Sequence, residues 1–115
     1  MYQGTTPTLV LTIAGHDLTD ANVFVTLENG KKQWTLEGDR LTIANAEGSS
    51  TITISFSQEE TFRLPTGTMK CQVRWVTSDN AAYVTDTVNL SVNGVLLQKV
   101  ITYENAEEEE EQDAE

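Results

Sequence analysis

Apolar residues recur at every second position in short segments along most of this chain. Leu9, Leu11 and Ile13 alternate with more variable positions, and Ile52, Ile54 and Phe56 do the same. A period of two places alternate side chains on one face of a β-strand. The pattern predicts eight strands, over residues 9–13, 23–27, 31–36, 41–43, 51–56, 69–75, 83–92 and 95–103.

Turn and cap signals separate these segments. Asn29-Gly30 predicts a tight hairpin, because both residue types tolerate positive φ, and Asn93-Gly94 is expected to lead into the last strand. Ser57 with Glu60 three residues later has the form of a capping box and predicts a single helical turn. Helix signals are otherwise scarce, and the chain contains 17 Thr, 10 Val and 5 Ile, which favour strands.

Strand segments spaced by about 8–12 residues are typical of an antiparallel sandwich or barrel. The sequence therefore predicts an all-β fold, an antiparallel sandwich or barrel of about 7–8 strands. We divide the chain into an extended N-terminal arm (1–8), the sandwich domain (9–103) and an acidic tail (104–115). The tail has no apolar face and holds five consecutive glutamates, so we expect it to be disordered.

The formal charge of −11 is concentrated in that tail. Residues 104–115 carry eight of the 18 acids and no base, which leaves ten acids against seven bases in residues 1–103. An acidic body with an acidic end repels phosphate, so we expect neither nucleic acid nor an anionic membrane as a partner. The tail is either a solvated end or a contact for a basic surface on a neighbouring protein, and the first is favoured.

The sequence also bears on the compartment. No apolar run approaches the roughly 18 residues of a membrane span, and residues 1–8 lack the basic start and apolar stretch of a signal peptide. The only cysteine, Cys71, has no partner for an internal disulfide. We therefore expect synthesis and folding in the cytoplasm.

The sequence offers few groups of residues that could form a catalytic or metal site. His16, Asp17 and Asp20 form the only His/acid cluster, and a metal or acid/base site there needs a third partner, so a polar turn is the favoured interpretation. Cys71 lies on the apolar face of the 69–75 segment, which favours a core role over a nucleophilic one. We expect no enzyme activity, no cofactor and no metal, and a small hydrolase centred on His16 is the least favoured alternative.

Two aromatic residues are candidates for ligand stacking. Trp34 lies in a polar segment, Tyr83 begins the predicted strand 83–92, and flat aromatic rings suit sugars. Trp75 has only apolar neighbours on its face and is expected in the core. Trp34 and Tyr83 are therefore the speculative binding residues of a carbohydrate- or cell-surface-binding module, the alternative function.

Two resemblances extend these predictions. Gly67-Thr68-Met69-Lys70-Cys71 is similar to the Gly-x-Tyr-x-Cys stretch that opens strand F of immunoglobulin-like sandwiches, although Met69 replaces the tyrosine and Cys71 has no cysteine partner. This resemblance implies an all-β, immunoglobulin-like antiparallel β-sandwich of about 7–8 strands that lacks the usual disulfide.

The second resemblance covers nearly the whole body. Residues 1–8, Asp17-Leu18-Thr19, Leu64-Pro65-Thr66-Gly67, Gln72-Val73-Arg74-Trp75 and the stretch from Val88 to Leu97 resemble small proteins encoded in the tail and baseplate regions of prophages from Gram-positive (Firmicutes) gut bacteria. The resemblance implies a non-enzymatic virion structural protein assembled in the host cytoplasm. Its partners would be other tail proteins or further copies of itself, for instance in a ring or trimer.

Overall fold

Eight strands and a short helix between the fifth and sixth strands make up the fold of the residues that the structure describes. The computed structural model describes residues 1–30 and 32–103. The strands are β1 (Thr8–Ala14), β2 (Asn22–Glu28), β3 (Gln33–Glu37), β4 (Thr42–Ala46), β5 (Ser49–Ser55), β6 (Gly67–Val76), β7 (Ala82–Val84) and β8 (Val88–Val92). A 3-10 turn, Gly38–Arg40, precedes β4, and helix α1, Gln58–Arg63, joins β5 to β6.

The strands make two antiparallel sheets. The small sheet has the order β1-β5-β4, and the large sheet has the order β3-β2-β6, with β7 and β8 both paired to the far side of β6. In each sheet a strand lies beside one that is distant in sequence, β1 beside β5 and β2 beside β6, which is the order of the immunoglobulin fold. The protein is thus an all-β, immunoglobulin-like antiparallel sandwich, as the sequence predicts.

The core lies between the two sheets. Its centre is formed by side chains that alternate along β2, β5 and β6, as the period of two predicts. On β6 the face that contains Met69, Cys71, Val73 and Trp75 is at most 4% exposed. The core roles predicted for Cys71 and Trp75 are therefore confirmed.

The hairpin predicted at Asn29-Gly30 and the predicted capping box are confirmed, although Asn29 belongs to the strand ladder and not to the turn. Glu28 pairs with Gln33, and the Asn29 amide donates to the Lys32 carbonyl over 3.1 Å, so Asn29 is still part of the hairpin ladder. The capping box is complete, because the Ser57 side chain accepts from the Glu60 amide while the Glu60 carboxylate accepts from the Ser57 amide.

The predicted strand 83–92 is two strands. β7 places Tyr83 opposite Trp75, and β8 places Val88 opposite Cys71, so three residues, 85–87, face two residues of β6. This extra residue is a β-bulge, which moves the inward positions from odd to even numbers. Val84, which the sequence pattern aligns with Leu90, consequently lies on the opposite face and is exposed.

The predicted strand 95–103 is wrong. Within the described part of the chain, no strand pairs with these residues. Gly94 onward leaves the sheet after Asn93, which pairs instead with the N-terminal arm. A strand requires a partner edge, and the route taken after Asn93 brings this segment to no such edge in its own domain.

The N-terminal arm packs against its own domain. The Gln3 amide donates to the Asn93 carbonyl over 2.8 Å, and the Gln3 side chain donates to the Leu64 carbonyl over 2.7 Å. Gln3 is itself buried, and Tyr2 forms a parallel bridge with Asn93. The arm therefore closes the end of the sandwich where α1 lies.

Two further predictions from the sequence concern the acidic tail and membrane spans. The acidic tail, 104–115, lies outside the described residues. In the residues that are described, no helix is long and apolar enough to cross a membrane.

Candidate functional site

The loop after β1 holds the His/acid cluster. Asp17 accepts hydrogen bonds from the side chain and the amide of Thr19 over 2.5 and 2.8 Å, and these bonds, the side-chain one first, hold the pKa of Asp17 below its usual value. Asp20 turns the chain with a φ of 59°. Among the residues that the structure describes, no group of three or more His, Cys, Asp or Glu residues is placed to hold a metal.

A buried polar network fixes the same loop. The hydroxyl of Ser50, which is fully buried, lies 2.9 Å from the His16 carbonyl and 2.6 Å from the Asn45 side-chain oxygen. The Leu18 amide donates to that oxygen over 2.9 Å. These bonds satisfy backbone groups that burial would otherwise leave unpaired, which is a structural role.

The His16 ring packs against two aromatic rings. Its centroid lies 5.1 Å from that of Trp75 and 5.1 Å from that of Tyr83, and Tyr83 stacks on Trp75 with centroids 5.4 Å apart and an angle of 17°. Tyr83 is 40% exposed whereas Trp75 is 4% exposed. One face of the Tyr83 ring is thus covered by the core, and the imidazole belongs to an aromatic cluster.

Trp34 lies far from this cluster. Trp34 is on β3, where it pairs with Leu27 of β2. β3 and β7, which carries Tyr83, are at opposite edges of the large sheet, with β2 and β6 between them. Its ring is half-buried and lines a small cleft of about 80 Å3 with Leu27, Phe56 and Arg63. The structure therefore does not bring the two speculative binding residues, Trp34 and Tyr83, onto one stacking surface.

Cys71 is shielded from reaction. Its side chain is 1% exposed, and burial raises the pKa of its thiol. A raised pKa lowers the thiolate fraction, and the thiolate is the nucleophile. The arrangement favours a core residue over a catalytic one.

A shallow groove crosses the outer face of the large sheet. Its volume is about 520 Å3, and its polar lining includes Gln33, Thr35, Gln72 and Arg74 beside the ring of Phe24. Neither Trp34 nor Tyr83 lines it. A groove with amide, hydroxyl and guanidinium groups offers hydrogen bonds to a polar ligand, and the sequence patterns singled out none of these residues for that role.

Several large apolar side chains are exposed to solvent. The segment after β8 carries four of them, and two more lie on the β7–β8 edge; they are Leu96, Leu97, Ile101, Tyr103, Val84 and Val88. Leu96 is wholly exposed. Several large apolar side chains exposed within the nine residues 95–103 favour a segment that contacts another protein.

The Gln58 side chain binds the C-terminal segment, residues 95–103, at Ile101. The Gln58 side chain donates to the Ile101 carbonyl over 2.6 Å and accepts from the Ile101 amide over 2.8 Å. The same segment lines a cleft of about 230 Å3 against Gly4, Thr5 and Phe62. The side-chain amide of Gln58 thus pairs with this residue as a neighbouring strand would pair with it.

No family model matches the sequence, and no curated protein matches it either. Among solved structures, one described as a structure of murine CRIg is similar over 83% of this chain and 89% of that chain, with 11% sequence identity and a TM-score of 0.39. The immunoglobulin-like assignment therefore depends on the strand order given above.

Proposed function

We propose that this protein is a non-enzymatic structural subunit of a phage or prophage virion, a tail or baseplate component that acts through protein–protein contacts. The observation that carries the proposal is the exposed apolar C-terminal segment, in which Leu96, Leu97, Ile101 and Tyr103 contact solvent. Burial of such side chains against a neighbouring subunit stabilises an assembly by roughly 25 cal/mol for each Å2 of apolar surface.

The sequence resemblance to tail- and baseplate-region proteins indicates which assembly. A disulfide-free domain built in the host cytoplasm suits a virion subunit, since its only thiol, Cys71, is buried. The candidate catalytic groups are better explained by packing, because His16 belongs to an aromatic cluster and burial raises the pKa of Cys71.

Particle composition tests this proposal directly. Prophage induction in the source strain, followed by gradient purification and mass spectrometry, is expected to find the protein at a fixed ratio to known tail subunits. Deletion of its gene is expected to yield particles with absent or incomplete tails. Absence of the protein from purified particles, with normal tails in the deletion strain, would overturn the proposal.

Carbohydrate or cell-surface binding is the second candidate, and the outer groove of the large sheet is the observation that favours it. There Gln33, Gln72 and Arg74 supply hydrogen-bonding groups beside Phe24. A glycan array is expected to show binding that Arg74→Ala abolishes if this function holds. Trp34→Ala, outside the groove, is the matched control, and an array without any bound glycan removes this candidate.

A further inference from the structure

A basic cleft lies beside the hairpin that joins β2 to β3. Its volume is about 330 Å3, and its lining consists of Asn29, Lys32, Arg63 and Pro65. Lys32 belongs to the hairpin, and Arg63 is the last residue of α1. Of the residues that the structure describes, no Asp or Glu lines this cleft. The two cations therefore create a local positive potential on a protein whose formal charge is −11.

No neighbouring carboxylate neutralises these cations. Lys32 and Arg63 are both exposed, and neither forms an ion pair with a described residue. The Glu60 carboxylate, one turn before Arg63, already has two partners, because one oxygen accepts from the Ser57 amide and the other accepts from Arg40 over 2.8 Å. Arg40 thus balances the charge of Glu60, and the cleft retains both of its positive charges for a further anion.

The acidic segment, residues 104–115, is attached close to this cleft. Gln58, the first residue of α1, binds both backbone groups of Ile101, at 2.6 and 2.8 Å. Arg63 follows Gln58 by five residues, which is about 8 Å along a helix. The five consecutive glutamates, Glu107 to Glu111, begin six residues after Ile101, and six residues reach at most about 20 Å. The glutamates are therefore tethered within reach of the cleft.

We propose that the acidic segment binds the cleft of Lys32 and Arg63 in the same molecule. The segment carries eight acids and no base, and the cleft has two cations and no acid among its described lining, so their charges are complementary. The tether at Ile101 gives the glutamates a local concentration on the order of millimolar at the cleft. A second copy supplies the same glutamates only at its bulk concentration, so the occupant is the segment of the same chain.

This contact changes the interpretation of the acidic segment. The sequence alone favours a solvated end, and the unneutralised cations of the cleft are the observation that favours a bound one. A bound segment covers the cleft, so an acidic peptide of a partner protein has to displace it. The segment therefore lowers the apparent affinity of the cleft for such partners, in proportion to the fraction of molecules in which the cleft is free.

Paramagnetic relaxation enhancement in the full-length protein measures the contact. Gln112→Cys places a nitroxide label within the acidic segment without loss of an acid, and Cys71 is too buried to react. The backbone amide signals of Lys32 and Arg63 are expected to lose at least about half of their intensity at low salt and to recover most of it at about 1 M salt, where the screening length is about 3 Å. Full intensity at low salt, or a loss that salt does not change, would overturn the contact.

Charge reversal of the cleft provides the specific test. Lys32→Glu combined with Arg63→Glu is expected to restore the signal intensity at both positions. Lys70→Glu combined with Arg74→Glu makes the same charge change on the outer face of β6 and is expected to leave the signal loss unchanged. All four side chains are exposed, so the fold is expected to persist in both variants, and the remaining amide spectrum verifies it. Equal effects of the two pairs would overturn the cleft as the binding site.

A mixed sample distinguishes the same chain from a second copy. One component carries the nitroxide label, and the other carries the isotope label by which the amide signals are observed. We expect no signal loss at Lys32 or Arg63 in this mixture. A loss equal to that in the chain that carries both labels would overturn the intramolecular contact and identify the segment of a second copy as the occupant.

Competition tests whether the segment regulates the cleft. A full-length variant with all five residues from Glu107 to Glu111 replaced by Gln keeps the length of the segment and removes the charge of this run. A synthetic peptide with the sequence of residues 104–115 is expected to shift the Lys32 and Arg63 signals of this variant with an affinity at least about tenfold higher than in wild-type protein. Equal affinities would show that the wild-type cleft is not occupied and would overturn the proposal.

These outcomes are independent of the proposed virion role. Loss of the intramolecular contact leaves a structural role in the tail untouched, and absence of the protein from particles leaves the contact standing.

Discussion

The Thr61 hydroxyl accepts a hydrogen bond from the Gly4 amide over 2.9 Å, across 57 positions of the chain. It also lies 3.0 Å from the carbonyl oxygen of Thr5, and Thr61 is wholly buried. One side chain of α1 thereby binds two backbone groups of the N-terminal arm. Removal of that hydroxyl leaves these groups without their partner inside the protein.

Thr61→Val is expected to lower the free energy of unfolding by about 1–3 kcal/mol, because the Gly4 amide and the Thr5 carbonyl lose their bonds while the volume is kept. Urea unfolding followed by tryptophan fluorescence measures the loss. Thr61→Ser retains the hydroxyl and is the control. A Val variant as stable as the wild type, together with a destabilised Ser variant, would show that the methyl group, and not the hydroxyl, holds the arm.

Gly4 is expected to tolerate no side chain. Its φ is +75°, and a Cβ at this position would lie 2.7 Å from the Cζ atom of Phe62. Gly48 has a similar φ of +80° with open space around it. Gly4→Ala is therefore expected to reduce the melting temperature more than Gly48→Ala, which alone costs about 1–2 kcal/mol of backbone strain. Identical melting temperatures would contradict the close approach of Phe62 to the arm.

The bulge between β7 and β8 depends on Thr85. Its hydroxyl accepts from the Val73 amide over 3.1 Å, and its own amide donates to the Val73 carbonyl over 2.9 Å. Thr85→Val leaves the buried Val73 amide unpaired and is expected to cost about 1–3 kcal/mol. Thr85→Ser keeps the acceptor, and its free energy of unfolding in urea is expected to remain within about 1 kcal/mol of the wild-type value. Hydrogen exchange of the Val73 amide is expected to be faster in Thr85→Val and unchanged in Thr85→Ser. Unchanged exchange in Thr85→Val would contradict the role of the hydroxyl.

Cys71 is expected to resist alkylation in the folded protein. Its side chain is 1% exposed and burial raises the pKa of the thiol, so the reactive thiolate is scarce and inaccessible. Iodoacetamide at pH 8 is expected to label it only after unfolding in guanidinium, with mass spectrometry as the readout. Rapid labelling of folded protein would mean that β6 separates from the core.

Truncation after Tyr103 is expected to leave the melting temperature of the domain within a few degrees of wild type. The removed residues, 104–115, carry eight acids and no base, so the sandwich core does not depend on them for burial. Differential scanning calorimetry at low and high salt measures the effect. A large loss of thermal stability would show that the domain extends into the acidic segment.

Local signals of the sequence predict local structure well in this protein. The capping box of Ser57 and Glu60 and the hairpin at Asn29-Gly30 each involve groups only a few residues apart, so neighbouring side chains are sufficient to specify them. The alternation over residues 69–75 likewise predicts the buried face of β6, because the strand period links sequence directly to orientation.

The sequence alone determined the fold class, the buried faces of β5 and β6 and the core position of Cys71, since each follows from residue type and spacing. Only the tertiary structure decided the bulge that turns Val84 outward, the docking of the arm and the course of residues 95–103 outside both sheets. A strand exists only where a second backbone completes its hydrogen bonds, and that partner is set by the path of the chain in space. The same alternating pattern therefore becomes a sheet strand in β6 and an exposed segment after Asn93.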